Sequence, residues 1–147
     1  IHEGLFEGSG DAKQVPLTNL HKLFNNLETI TFGLVTNDSE TNAIKHLEQH
    51  NLTQYFDMII GYDSGYGSKP EPGQLEAFLR KTNLLSQEVL MIGDSTYDLV
   101  AANKISMPCL GVLSGTANKK DLSAHTPFII DSIAELEAWL KKTFPNS

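Results

Sequence analysis

Apolar residues along this chain follow two spacings that alternate from the first third to the end. Short continuous runs occur at Thr31-Phe-Gly-Leu-Val35, Met58-Ile-Ile60, Glu88-Val-Leu-Met-Ile92, Cys109-Leu-Gly-Val-Leu113 and Phe128-Ile-Ile130. Runs of this length, bounded by Gly, Asn, Asp and Ser, read as buried strands. Between them, apolar positions recur every three or four residues, which is one face of a helix. Leu17, Leu20, Leu23, Phe24 and Leu27 predict a helix over 16–27, with Pro16 suited to its first turn. Ala43, Ile44 and Leu47 mark a second helix, and Leu75, Phe78 and Leu79 a third. A fourth holds Asp98-Leu-Val-Ala-Ala102 and runs to about Lys104, and a last one runs from Asp131-Ser132 through Ile133, Leu136, Trp139 and Leu140. Strands that alternate with helices predict an α/β fold, a three-layer sandwich whose mostly parallel sheet carries helices on both faces.

Composition narrows this picture without changing it. With 147 residues, 40% of them hydrophobic, the chain can bury one substantial core. A net charge of −7 without a basic cluster argues against nucleic acid or an anionic membrane as the main partner. The paired lysines at 119–120 and 141–142 read as solvated helix positions. Cys109 stands alone, which leaves no disulfide framework and no thiolate metal site and fits a reducing cytoplasm. No apolar stretch approaches membrane-spanning length and no secretory signal is visible. There is no internal repeat and no second-domain boundary. Residues 16–147 read as one core domain, preceded by residues 1–15, in which Gly8-Ser-Gly10 could serve as linker.

The chemistry concentrates at strand ends. In Met91-Ile-Gly-Asp-Ser-Thr-Tyr-Asp98, the carboxylates of Asp94 and Asp98 come just past an apolar run, and Gly93 provides a tight exit. In an open parallel sheet, ligands bind beyond the carboxyl ends of the strands. Acidic oxygens at such a turn suit Mg²⁺, which takes one or two carboxylates together with waters and substrate phosphate. Thr36 leaves the Phe32–Val35 run with a hydroxyl and a following series of backbone N–H groups, a turn able to hold a phosphate oxygen. Lys69 adds a long cationic arm, its backbone restricted by Pro70 and Pro72. A hydroxyl, a fixed ammonium and a metal carboxylate are together what phosphoryl transfer needs, because it is catalysed mainly by positioning and charge neutralisation.

Each residue also has a plainer reading. Asp94 could be a helix cap, Asp98 a first-turn acid favoured by the helix dipole, Thr36 a cap secondary to Asp38 or Ser39, and Lys69 a surface lysine. The five histidines fit neither a triad nor metal spacing: His46 and His50 are four apart, but Leu47 stands in the position after His46 where a zinc helix has Glu. They read as solvated or capping residues. Met58, Met91, Trp139 and the phenylalanines read as core, and Cys109 as buried packing.

The ordered set Gly33-Leu-Val-Thr-Asn-Asp38, Ser68-Lys-Pro-Glu-Pro72 and Gly93-Asp-Ser-Thr-Tyr-Asp98 resembles the haloacid dehalogenase-like superfamily, over about Phe32 to Gly115. The wording of the second and third stretches is similar to its phosphoglycolate phosphatase and β-phosphoglucomutase branch. The resemblance implies a Rossmann-like core and, for most members, a Mg²⁺-dependent phosphatase. It implies that Thr36 and the Asn37 amide bind phosphate, that Lys69 steadies both phosphate and nucleophile, that Asp94 ligates Mg²⁺, and that Asp98 acts at the metal mainly through a water. Lys104-Ile105-Ser106 departs from the family's Ala-Gly at that place, which touches packing more than chemistry.

One family motif is absent. The nucleophile of these enzymes is the first Asp of a DxD sequence ending the central strand, and no DxD precedes Thr36. Asp11 follows no apolar run and lacks the setting for that role. The expectation is therefore a sheet from which the central nucleophile strand is missing, in the carboxyl-terminal part of a longer protein. Residues 1–15 would be the return from a lost cap, and the missing amino-terminal segment itself would be a partner. The expected parent is a phosphohydrolase acting on a small phosphorylated metabolite through an aspartyl-phosphate, with this chain inactive alone. A phosphomutase of the same branch and a non-catalytic module that binds metal, phosphate or a partner are the alternatives. Dehalogenation is disfavoured by Asp94, and a phospho-receiver domain by its acidic residues coming first rather than last.

Overall fold

A computed structural model describes residues 3–6, 17–113 and 117–145. Six strands, β1 (Glu3–Phe6), β2 (Thr31–Val35), β3 (Phe56–Ile60), β4 (Val89–Gly93), β5 (Cys109–Val112) and β6 (Ile129–Ile130), make one sheet in the order β3-β2-β1-β4-β5-β6. Every neighbouring pair is parallel. The helices are α1 (Leu17–Asn26), α2 (Glu40–Gln49), α3 (Gly73–Thr82), α4 (Thr96–Lys104), α5 (Lys119–Ser123) and α6 (Leu136–Thr143). The expected α/β architecture is present.

Two-residue periodicity sends alternate strand side chains to opposite faces. Phe32, Leu34, Leu90, Ile92, Leu110 and Val112 pack with Leu20, Phe24, Leu47 and Leu136, so α1, α2 and α6 cover one face. Val35, Val89, Met91 and Cys109 pack with Leu75, Phe78, Leu99 and Leu122, so α3, α4 and α5 cover the other. Helices on both faces explain why these strands read as continuous apolar runs and not as alternating ones.

The expectation of a missing central strand is corrected. Glu3–Phe6 lies between β2 and β4, with Phe6 in register with both Leu34 and Ile92. In the sequence this segment shows only two large apolar residues, Leu5 and Phe6, around Gly4, too few to announce a strand. Its strand state comes from pairing on both sides: the facing edges of β2 and β4 supply backbone donors and acceptors that any extended segment can satisfy. The strand carries no Asp. The rest of the 1–15 segment, including Gly8-Ser-Gly10 and Asp11, lies outside the described residues.

Smaller differences have local causes. β3 starts two residues before Met58, at Phe56, because its edges pair with β2 regardless of side chain. The last helix begins as a 3₁₀ turn, Ile133–Glu135, with Ser132 accepting from the Ala134 N–H. The one-turn helix α5 has a single buried anchor, Leu122, and so no periodic signal. No helix among the described residues is long and apolar enough to cross a membrane.

Candidate functional site

Apart from Thr126, which bonds the Cys109 carbonyl at the start of β5, the buried polar side chains among the described residues gather at the carboxyl end of β2 and β4. Thr36, Lys69, Gln74, Asp94 and Asp98 are each at most 7% exposed, in a sheet whose other buried side chains are nearly all apolar. Thr36 continues β2 by one residue, its N–H donating to the Ile60 carbonyl at 3.0 Å. Its hydroxyl oxygen accepts from the Asp38 N–H at 3.0 Å, which leaves the hydroxyl proton to donate elsewhere. Ser39, not Thr36, caps α2 by accepting from the Asn42 N–H. Thr36 is thus at the site by position, and its plainer reading as the helix cap fails.

Lys69 is reached across the sheet end. Its ammonium donates to the Val35 carbonyl at 3.1 Å and to Asp98 Oδ1 at 2.7 Å, and both side chains of that ion pair are 1% exposed. A lysine so buried is held only by such partners, because burying an unpaired ammonium is costly. The main chain of Lys69 is fixed as well. Asn37 Oδ1 accepts from the Lys69 N–H at 2.9 Å, and Asn37 Nδ2 donates to the Lys69 carbonyl at 3.0 Å. This reciprocal pair assigns the Asn37 carboxamide to holding Lys69. Of the Asn37 amides, the backbone N–H is the one that these two bonds leave unused. The Lys69–Pro70 peptide is cis.

Asp98 has two duties. Its Oδ1 pairs with Lys69, and its Oδ2 accepts from the Ser95 N–H at 3.2 Å, closing the first turn of α4. Gly93 makes this possible, since a Cβ there would collide with the Asp98 side chain. Asp94, 7% exposed, sits one residue past β4 at the same end of the sheet.

Among the described residues no three His, Cys, Asp or Glu side chains converge as a ready cage. Mg²⁺ does not need one, since one or two carboxylates plus waters and phosphate oxygens complete its octahedron. Asp94 fits as that carboxylate. Asp98, with an ammonium on one oxygen and a peptide N–H on the other, fits only the water-mediated role.

Gln74 was not anticipated. It is fully buried at the start of α3, and its Nε2 donates to the Thr36 carbonyl at 2.9 Å. A sequence signal existed: Gln74 is four residues before Phe78 and so shares its inward face, where a polar residue needs a reason. The described histidines lie away from this end. His21 pairs through Nδ1 with the Tyr55 hydroxyl at 2.8 Å and through Nε2 with the His50 carbonyl at 3.2 Å, beside the amino end of β3.

The family model for haloacid dehalogenase-like hydrolases matches residues 8–112, a span that includes Thr36, Lys69, Asp94 and Asp98. The chain belongs to that family. Among curated relatives of this haloacid dehalogenase-like chain, the phosphoglycolate phosphatase of Vibrio parahaemolyticus is 35% identical over 107 residues, covering 72% of the chain and 47% of the relative. The chain thus spans about half the length of the curated relatives it matches. Of solved structures, a protein of Bacteroides fragilis assigned as a haloacid dehalogenase-like hydrolase superposes with a TM-score of 0.71 at 29% identity, covering 82% of this chain and 55% of that one. One of Thermotoga maritima assigned as a β-phosphoglucomutase gives 0.76 at 22% identity over 86% of this chain and 60% of that one, a likeness of fold.

Proposed function

We propose that this haloacid dehalogenase-like chain forms the phosphate-binding and Mg²⁺-binding side of a cytoplasmic phosphohydrolase that acts on a small phosphomonoester. The observation that carries this reading is the buried Lys69 ammonium, held at the sheet end by Asp98 and by the carbonyl of Val35, the residue that precedes Thr36. The Thr36 hydroxyl and the Asn37 backbone N–H donate to phosphoryl oxygens. Lys69 offsets their charge, with Asp98 holding its ammonium in place. Asp94 would hold Mg²⁺, and Asp98 would act at the metal through a water. When bound, Mg²⁺ neutralises charge developing on the phosphoryl group. In the full-length parent, an Asp carboxylate from outside the described residues attacks phosphorus. The alcohol departs with a proton, and water then cleaves the aspartyl-phosphate to orthophosphate.

The family membership and the phosphoglycolate phosphatase relatives support this reading. The test is a panel of phosphomonoesters, phosphoglycolate among them, offered to the full-length gene product with and without Mg²⁺, alongside Asp94→Asn. Mg²⁺-dependent turnover that falls by a factor of a hundred or more in the variant is expected. Turnover unchanged by Asp94→Asn sinks the metal assignment. A second reading, a non-catalytic module that binds Mg²⁺ and phosphate, is favoured by one observation: β1 fills the central position without an Asp. It predicts binding without turnover in the same panel.

A further inference from the structure

The geometry points to Gln74 as a positioning residue that sets the orientation of the Thr36–Asn37 peptide, so that the Asn37 backbone N–H faces a bound phosphate. This rests on the phosphate reading above and extends it to a side chain that touches no ligand. Two consecutive carbonyls at the end of β2 are taken by side chains. Val35 O accepts from Lys69 Nζ at 3.1 Å, and Thr36 O accepts from Gln74 Nε2 at 2.9 Å. A trans peptide points its C=O and its N–H in opposite directions. With Thr36 O drawn toward α3, the Asn37 N–H must point away from α3. Along extended backbone, polar groups of successive residues alternate in side, which puts that N–H on the side where the Val35 carbonyl meets the Lys69 ammonium.

The cost carried by Gln74 shows that its amide is not there for packing. The side chain is fully buried, and its Oε1 has no hydrogen-bond partner. An apolar residue of similar length would fill the same space without the orphaned oxygen. What only the carboxamide supplies is the donor to Thr36 O. Asn37 and Gln74 therefore divide the work: the Asn37 side chain fixes the Lys69 main chain, and Gln74 fixes the peptide that precedes Asn37.

The experiment compares wild type, Gln74→Leu and Gln74→Met by ¹H–¹⁵N and carbonyl ¹³C NMR. Each is recorded free and then titrated with inorganic phosphate in the presence of Mg²⁺, with thermal unfolding as the check on the fold. In the free protein, both variants should unfold within a few degrees of wild type, while the Thr36 carbonyl and Asn37 amide resonances move. On titration, wild type should shift its Asn37 amide, and the variants should bind phosphate about tenfold more weakly, the cost of one misdirected charge-assisted hydrogen bond. Free-state Thr36 and Asn37 resonances that stay put in both variants overturn the inference. So do variants that bind phosphate as tightly as wild type. A wild type that shows no phosphate response at all overturns the phosphate reading itself, and the role assigned to Gln74 falls with it.

Discussion

Neutralising Asp98 should destabilise the chain far more than its position in the first turn of a helix implies. Asp98 and Lys69 meet at 2.7 Å with both side chains 1% exposed. Asp98→Asn keeps the size of the side chain and an oxygen for the Ser95 N–H, and it replaces the charged acceptor of the Lys69 bond with an amide NH₂. The Lys69 ammonium then stays buried without that counter-ion, a loss that costs about 3–5 kcal/mol. At roughly 2–4 °C per kcal/mol for a domain of this size, the midpoint of thermal unfolding should fall by about 6–20 °C. Lys69→Met strands the carboxylate and should cost a similar amount. The double variant, Lys69→Met with Asp98→Asn, removes both charges of the pair. It should lie within about 3 kcal/mol of wild type, although the single costs sum to about 6–10 kcal/mol. Urea unfolding of the four proteins measures this cycle. Single costs below about 1 kcal/mol, or costs that add, would mean a hydrated pair of the surface kind and would refute the burial argument.

Other consequences are smaller or more local. Gly93→Ala pushes a methyl group into Asp98 and should cost about 1–3 kcal/mol by urea unfolding, with no loss if the α4 turn can simply shift. Asn37→Ala removes both hydrogen bonds to the Lys69 main chain and should cost about 1–3 kcal/mol; an unchanged unfolding midpoint would show that the proline-flanked loop holds itself. Burial pushes the Cys109 thiol above its usual range, only partly offset by its hydrogen bond with Thr126. The folded state therefore holds that proton more tightly than the unfolded chain does. Its contribution is complete below the unfolded thiol's pKa and is lost as pH rises through that value toward the folded one. Wild type should thus lose more stability than Cys109→Ala between about pH 8 and 10, and parallel pH profiles would contradict this.

What the sequence displayed and what it hid have separate physical origins. Strands β2, β4 and β5 were plain because both faces are covered, so Phe32 and Val35, or Leu90 and Met91, are apolar for opposite sides of the sheet. Thr36, Lys69, Asp94 and Asp98 were visible because strand-end chemistry depends on residue type, and the structure joins Lys69 to Asp98 and to the carbonyl of Val35, the residue before Thr36. β1 was hidden because Glu3–Phe6 becomes a strand through backbone pairing on both sides, which leaves no side-chain signature. The pairing of Asn37 with Lys69 was hidden for a related reason. It joins a side chain to backbone groups 32 residues away, and backbone groups have no letter in a sequence. Gln74 was legible only through its place four residues before Phe78 on the inward face, because a glutamine by itself reads as a surface residue.

The central claim is that Thr36, Asn37, Lys69 and Asp94 together hold a phosphoryl group and Mg²⁺. A crystal structure of the chain grown with MgCl₂ and orthophosphate tests it most directly. The account predicts the anion within hydrogen-bond reach of the Thr36 hydroxyl, the Asn37 N–H and the Lys69 ammonium, with Mg²⁺ on Asp94 and the metal lost in Asp94→Asn. Phosphate bound elsewhere, or a metal held without Asp94, would contradict it.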